Sequence, residues 1–136
     1  MSDTDQITLD ANYSKQASIS ADDALEALKV PPHSIQGEQS VLGGLMLDDE
    51  AWDRVADKVV STDFYRREHQ LIFSAMANLA EQNQPLDVVT IAEELERRSE
   101  LEEIGGMPYL GTLANETPSA SNIDAYAKIV REQSVV

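Results

Sequence analysis

Val30-Pro31-Pro32-His33-Ser34-Ile35-Gln36-Gly37-Glu38-Gln39-Ser40-Val41-Leu42-Gly43-Gly44-Leu45-Met46-Leu47 decides the fold, because a rigid entry runs straight into a capped, apolar helix. Pro31 and Pro32 fix φ and bias the residue before each toward extended geometry, so a helix does not cross them from the N-terminal side. Ser34 is placed to accept from an exposed amide of the next turn as N-cap. Val41, Leu42, Leu45 and Met46 then fall on one helical face. Gly43 and Gly44 each cost about 1 kcal/mol against alanine inside a helix. Two such costs side by side predict either a close helix approach or a bend between two short helices.

Beyond this stretch the helical period continues. Trp52, Val55, Ala56 and Val59 repeat at helical spacing behind Asp48-Asp49-Glu50, acidic residues that suit a helix N-terminus. His69, Ile72, Phe73, Met76, Leu79 and Ala80 form the longest apolar stripe, ended by Asn83 to Pro85. Asp87 is expected to cap a helix with face Val88, Ile91, Ala92 and Leu95, whose charged run Glu93 to Arg98 is its solvent side. Gly105-Gly106 predicts a turn, Pro108 the first position of a helix, and Leu110 and Leu113 its inner face. After the break at Thr117-Pro118-Ser119, a last helix opened by Ser121 or Asn122 carries Ile123, Tyr126, Ala127 and Val130.

No segment alternates with strand period over a convincing length. The expected architecture is all-α, a compact bundle of about six short helices in residues 30–136, with a truncated helical hairpin at its C-terminal end. That last helix reads on through Val135-Val136 without Gly, Pro or a basic cap, so the chain is expected to be a fragment. Residues 1–29 are polar and acidic with no sustained period, and read as a flexible tail. Within it Ser20 to Leu28 has the residues for two helical turns, too few to be stable without a partner.

Ten Lys and Arg stand against 25 Asp and Glu, a formal net charge of −15. A surface of that sign repels phosphate at long range, so tight DNA binding by this chain alone is not expected. Aromatics at 5% are too few for a stacking platform on single-stranded nucleic acid. Cysteine is absent, which rules out disulfides and thiolate metal sites. No apolar run approaches signal-peptide or membrane-span length, and a cytoplasmic setting is the expectation.

Candidate chemistry is sparse. His69 lies on an apolar stripe with no H-x-x-x-H partner, which fits a core or interface histidine better than a metal ligand. His33 follows two prolines and reads as a cap-region residue. The acidic pairs Asp48-Asp49, Glu93-Glu94 and Glu102-Glu103 suit solvated helix ends and faces better than acid–base catalysis. Arg66-Arg67 and Arg97-Arg98 read as salt-bridged helix faces in so acidic a chain. Neither Gly43-Gly44 nor Gly105-Gly106 is followed by the Lys-Ser/Thr of a phosphate loop. No catalytic, cofactor-binding or metal-binding residue is therefore assigned.

The ordered motifs resemble one family. Val30-Pro31-Pro32-His33-Ser34 with Glu38-Gln39-Ser40-Val41-Leu42-Gly43-Gly44-Leu45-Met46-Leu47 is similar to the opening of the N-terminal domain of bacterial replicative DNA helicases, the DnaB family. Asp63-Phe64-Tyr65, His69, Ile72-Phe73, Pro85-Leu86-Asp87 and Thr90 follow in order. So do Gly105-Gly106, Tyr109-Leu110, Thr117-Pro118-Ser119-Ala120, Asn122-Ile123, Ala125-Tyr126-Ala127 and Ile129-Val130-Arg131-Glu132. The resemblance implies a collar domain within a hexameric ring, self-associating through dimer contacts and docking primase, with helicase loaders as further partners of the ring. It places ATP, Mg2+ and DNA in a C-terminal RecA-like ATPase domain absent from this chain.

An interaction module fits these features better than a small hydrolase built on an acidic pair, which lacks a nucleophile, metal set and phosphate loop. A free-standing acidic adaptor is the alternative reading. The candidate partner interface is Tyr109, Tyr126, Ile129 and Val130. Ile123, Tyr126, Ala127 and Val130 make one stripe while Ile129 points to its side, and aromatic anchors such as Tyr109 tend to dominate interface energy.

Overall fold

A computed structural model describes residues 33–134. The tail, the Ser20–Leu28 segment, Pro31-Pro32 and Val135-Val136 lie outside the described residues. Six α-helices and two short 3-10 turns make up the described chain, with no strand among them. They are α1 (Ile35–Leu47), a 3-10 turn (Asp49–Ala51), α2 (Trp52–Ala56), a second 3-10 turn (Ser61–Asp63), α3 (Arg67–Glu81), α4 (Val88–Arg97), α5 (Gly106–Glu116) and α6 (Ile123–Ser134).

Ser34 caps α1 as expected, its Oγ accepting from the Gly37 amide at 3.0 Å. The helix runs unbroken through Gly43-Gly44, so the glycines serve close approach, and each serves a different neighbour. A Cβ on Gly43 would fall on the Thr117 hydroxyl and the Leu113 carbonyl oxygen of α5, while one on Gly44 would lie 2.9 Å from Ile123 Cδ1 of α6. The chain thereby inserts α1 between α5 and α6, which pack on α1 more than on each other. The C-terminal pair is a split hairpin gripping a third helix.

The core gathers around Phe73 of α3, whose ring lies 4.9 Å from Trp52 and 5.0 Å from Phe64. Val41, Leu42 and Leu45 are buried as read, with Met46 packed at their margin. The stretch from Trp52 to Val59 differs in detail from its periodicity. α2 stops at Ala56, which is exposed, and Val59 reaches the core from the loop beyond it, while Ala51 is the buried residue of the preceding turn. Asp49, Glu50 and Ala51, capped by Asp48, form a 3-10 turn first, which rotates the later residues out of phase.

Asp87 caps α4 by accepting from the Thr90 amide at 2.8 Å and from its hydroxyl. Those Thr90 bonds, the hydroxyl's first, hold the Asp87 carboxyl below the usual carboxylate range. Pro108 is the third residue of α5 rather than the first, since Gly105 and Gly106 turn with φ of +105° and +75° and the helix starts at Gly106. Pro108 still lies within the first turn, where its missing amide costs no helical bond.

Candidate partner interface

Tyr109 sits one turn into α5 because of the glycine before it. At Gly105 the positive φ disfavours a side chain, and a Cβ would stand 3.0 Å from Tyr109 Cβ. The chain can therefore fold down over the tyrosine, whose half-buried ring turns its hydroxyl inward. That hydroxyl is 2.6 Å from His69 Nε2 and 3.3 Å from Gln39 Nε2. The Tyr109 and His69 rings lie nearly parallel at 5.9 Å.

His69 is wholly buried, and its Nδ1 is 2.7 Å from Glu38 Oε1. Glu38, only 1% exposed, also accepts from the backbone amides of Tyr65 at 2.6 Å and Arg66 at 3.4 Å. His69 is thus a core histidine with a partner on each nitrogen. Glu38 was missed in the sequence, although it leads the same stripe as Val41, Leu42 and Leu45 at i, i+3, i+4 and i+7. A carboxylate on a buried face needs donors, and its place in the first turn of α1 disguises it as a solvated helix-end acid.

The four candidate interface residues do not form one patch. Ile129 is exposed at 37% and its Cγ2 lies 3.6 Å from where a Gly37 Cβ would stand, beside the first turn of α1. Tyr109 meets the same turn of α1 from another side, through Gln39. Tyr126 is half-buried against the core. Val130, 1% exposed, belongs to the core and offers no surface. What the structure brings together is Tyr109 and Ile129 flanking the start of α1.

Two carboxylates read as solvent-facing or not singled out are structural. Glu94, 4% exposed, is bound by Asn78 at 2.8 Å, by Arg98 at 2.9 Å and by Arg97. Burial pushes its carboxyl up, yet the bonds from Arg97, Arg98 and Asn78 outweigh this and leave it below the usual range. Asp63, also buried, ties the second 3-10 turn to α6 by accepting from Arg131 Nη1 at 3.0 Å and Ser134 Oγ at 2.6 Å. Its cap to the Val60 amide, 2.8 Å, completes the set.

The basic doublets are paired as read. Arg66 bridges Glu68, Arg67 bridges Glu103, and Arg97 and Arg98 bridge Glu94. The hydrogen bond and charge of Glu103 raise the Arg67 guanidinium. His33 stacks on the exposed Tyr65 ring at 3.9 Å, in front of α1. Among the described residues no three or more His, Cys, Asp or Glu are grouped to hold a metal ion, and no helix is long and apolar enough to cross a membrane.

The profile of the DnaB-like helicase N-terminal domain matches residues 30–132. The replicative DNA helicase DnaB of Haemophilus influenzae is 44% identical over 117 residues, 86% of this chain and 25% of its own length. That of Geobacillus stearothermophilus is 45% identical over 108 residues, 79% of this chain and 24% of its own. The chain thus spans about a quarter of the length of the curated relatives it matches. Among solved structures, the N-terminal domain of the Mycobacterium tuberculosis DnaB helicase is similar with a TM-score of 0.75 and 44% identity, covering 77% of this chain and 73% of that one. The N-terminal domain of the Helicobacter pylori DnaB helicase, a domain that interacts with primase, has the same fold at a TM-score of 0.63 and 24% identity, covering 73% of this chain and 76% of its own. The ordered motifs, the helical body they build and these matches together make the chain a member of the DnaB-like helicase N-terminal domain family.

Proposed function

We propose that this chain is the non-catalytic collar of a hexameric, ATP-dependent replicative helicase that unwinds DNA at the replication fork in the cytoplasm, and that it supports ring assembly and docks primase. The observation that carries this reading is the match of a whole helical body, not of a short motif, to helicase N-terminal domains. Its basic side chains support a protein-facing role, since Arg66, Arg67, Arg97, Arg98 and Arg131 are each bridged to a carboxylate of the same chain. ATP, Mg2+ and DNA are handled by a RecA-like ATPase domain of the helicase outside residues 30–132, and a loader engages the ring. The docking surface is the α1 start flanked by Tyr109 and Ile129.

The test is made in the full-length helicase. Tyr109→Ala and Ile129→Asp leave the fold intact by circular dichroism while primase affinity, or hexamer content in sedimentation, drops. Two folded variants that bind primase and assemble normally, or two that unfold, end the assignment.

A further inference from the structure

The buried chain of polar groups has a direction. Backbone amides only donate, so Glu38, which faces those of Tyr65 and Arg66, is an acceptor on both oxygens. The ring nitrogen facing the same carboxylate at 2.7 Å must then carry its hydrogen, which makes His69 Nδ1 the donor. In a neutral ring Nε2 is left as acceptor, and the hydroxyl 2.6 Å away donates to it. Tyr109 oxygen stays free to accept from Gln39 Nε2. Donation runs one way from Gln39 through Tyr109 and His69 to Glu38, and each group is satisfied.

The alternatives break this order. An Nε2–H tautomer sets a lone pair of Nδ1 against the Glu38 carboxylate. A doubly protonated ring aims a second donor at the Tyr109 oxygen and leaves the Tyr109 proton without the acceptor it has in the neutral arrangement. Because α1 supplies Glu38 and Gln39, α3 His69 and α5 Tyr109, the chain crosses three helices. At its far end it holds the Tyr65–Arg66 backbone, where the exposed Tyr65 stacks on His33.

We propose that His69 is a positioning residue, fixed as the neutral Nδ1–H tautomer, which sets Tyr109 on one side and, through Glu38, the Tyr65–Arg66 backbone on the other, so that the inward bond of the Tyr109 hydroxyl fixes the ring Tyr109 presents in partner docking. The docking clause rests on the proposed function; the tautomer does not. His69 is wholly buried and cannot touch a partner, so any effect of replacing it travels through the groups it holds.

Long-range proton–nitrogen spectra of the histidine-labelled chain at neutral pH read the tautomer directly. A single Nδ1–H form is expected, and an Nε2–H form or an imidazolium overturns the proposal. Tyr109→Phe keeps the ring and removes only the donor: Glu38 should still hold the Nδ1–H form, Nε2 should lose its hydrogen-bonded shift, and the full-length helicase should bind the primase C-terminal domain about tenfold more weakly. His69→Gln, which can present an acceptor where Nε2 stood, should restore most of that affinity relative to His69→Asn, while the Tyr65 and Arg66 amide resonances move. Unchanged primase affinity in Tyr109→Phe shows that the ring needs no inward bond to act and overturns the docking clause. Wild-type helicase that fails to bind the primase domain, with the Nδ1–H tautomer in place, overturns the proposed function and leaves the positioning role standing.

Discussion

Glu38 shows how much one side chain carries in this domain. Replacing it by alanine leaves the buried His69 Nδ1–H and the part-buried Tyr65 amide without an acceptor, at about 1–3 kcal/mol for each stranded group and least for the part-buried one, so a loss of about 3 kcal/mol is expected. Ser34→Ala removes one cap at the helix start and should cost only about 1 kcal/mol. Urea unfolding of the two variants measures the ratio, and equal losses would show that the buried carboxylate is no more than a cap. The acids also set a pH dependence. Asp87, through its Thr90 bonds, and Glu94, whose bonds to Arg97, Arg98 and Asn78 override its burial, have folded pKa values below their unfolded ones. Their stabilisation is present above the ordinary carboxylate range near 4 and is lost as pH falls through the depressed values. Asp87→Asn and Glu94→Gln should each flatten the decline of the melting temperature below that range.

At the scale of the helix, the two neighbouring glycines of α1 should behave differently when filled. A methyl on Gly44 meets the tip of Ile123, a side chain that can be shortened, so Gly44→Ala should cost about 1–3 kcal/mol and Ile123→Val should recover much of it. A methyl on Gly43 meets the Thr117 hydroxyl, which alanine removes, and the Leu113 carbonyl oxygen, which no substitution trims, so Gly43→Ala should cost more and resist rescue by Thr117→Ala. Melting curves of the four proteins check this, and an equal rescue of both would deny that α5 touches α1 by its backbone. The need for close approach was readable from the two glycines, as were the caps at Ser34 and Asp87 and the stripe of α3. The 3-10 turn at Asp49–Ala51 was not, because periodicity is blind to a change of helix type over three residues. Glu94 was hidden within a run of charges, where only the position of Asn78 on another helix marks it as buried. Val130 was assigned to an interface and serves the core, since one apolar stripe cannot say which of its members meets a neighbour inside the same chain.

For the whole molecule the sign of the charge decides what it leaves alone. With a net charge of −15, single-stranded DNA should bind no tighter than about 10⁻⁴ M at physiological salt. Arg66 and Arg67, the doublet best suited to phosphate, are already bridged to Glu68 and Glu103. Micromolar affinity in an anisotropy titration would mean that phosphate displaces those carboxylates. The family resemblance of the sequence pointed to a helicase N-terminal domain, and the fold agrees with it as a body. The surface at the α1 start became visible only when α1 was seen wedged between α5 and α6, because the parts come from residues some seventy to ninety apart in sequence.

Asp63 has a mechanical consequence. It grips α6 at Arg131 and again at Ser134, one turn apart, and its own amide neighbour Val60 closes the grip from the other side. A tug on the C-terminal end of α6 therefore does not begin by fraying that end, since the last turn is clamped to the 3-10 turn that leads into Phe64 and the aromatic cluster. Tension is delivered to the centre of the domain, and the helix behaves as a stiff handle. In a force-extension experiment with wild type and Asp63→Ala, the variant should yield at lower force and in two steps, the handle first and the head after it.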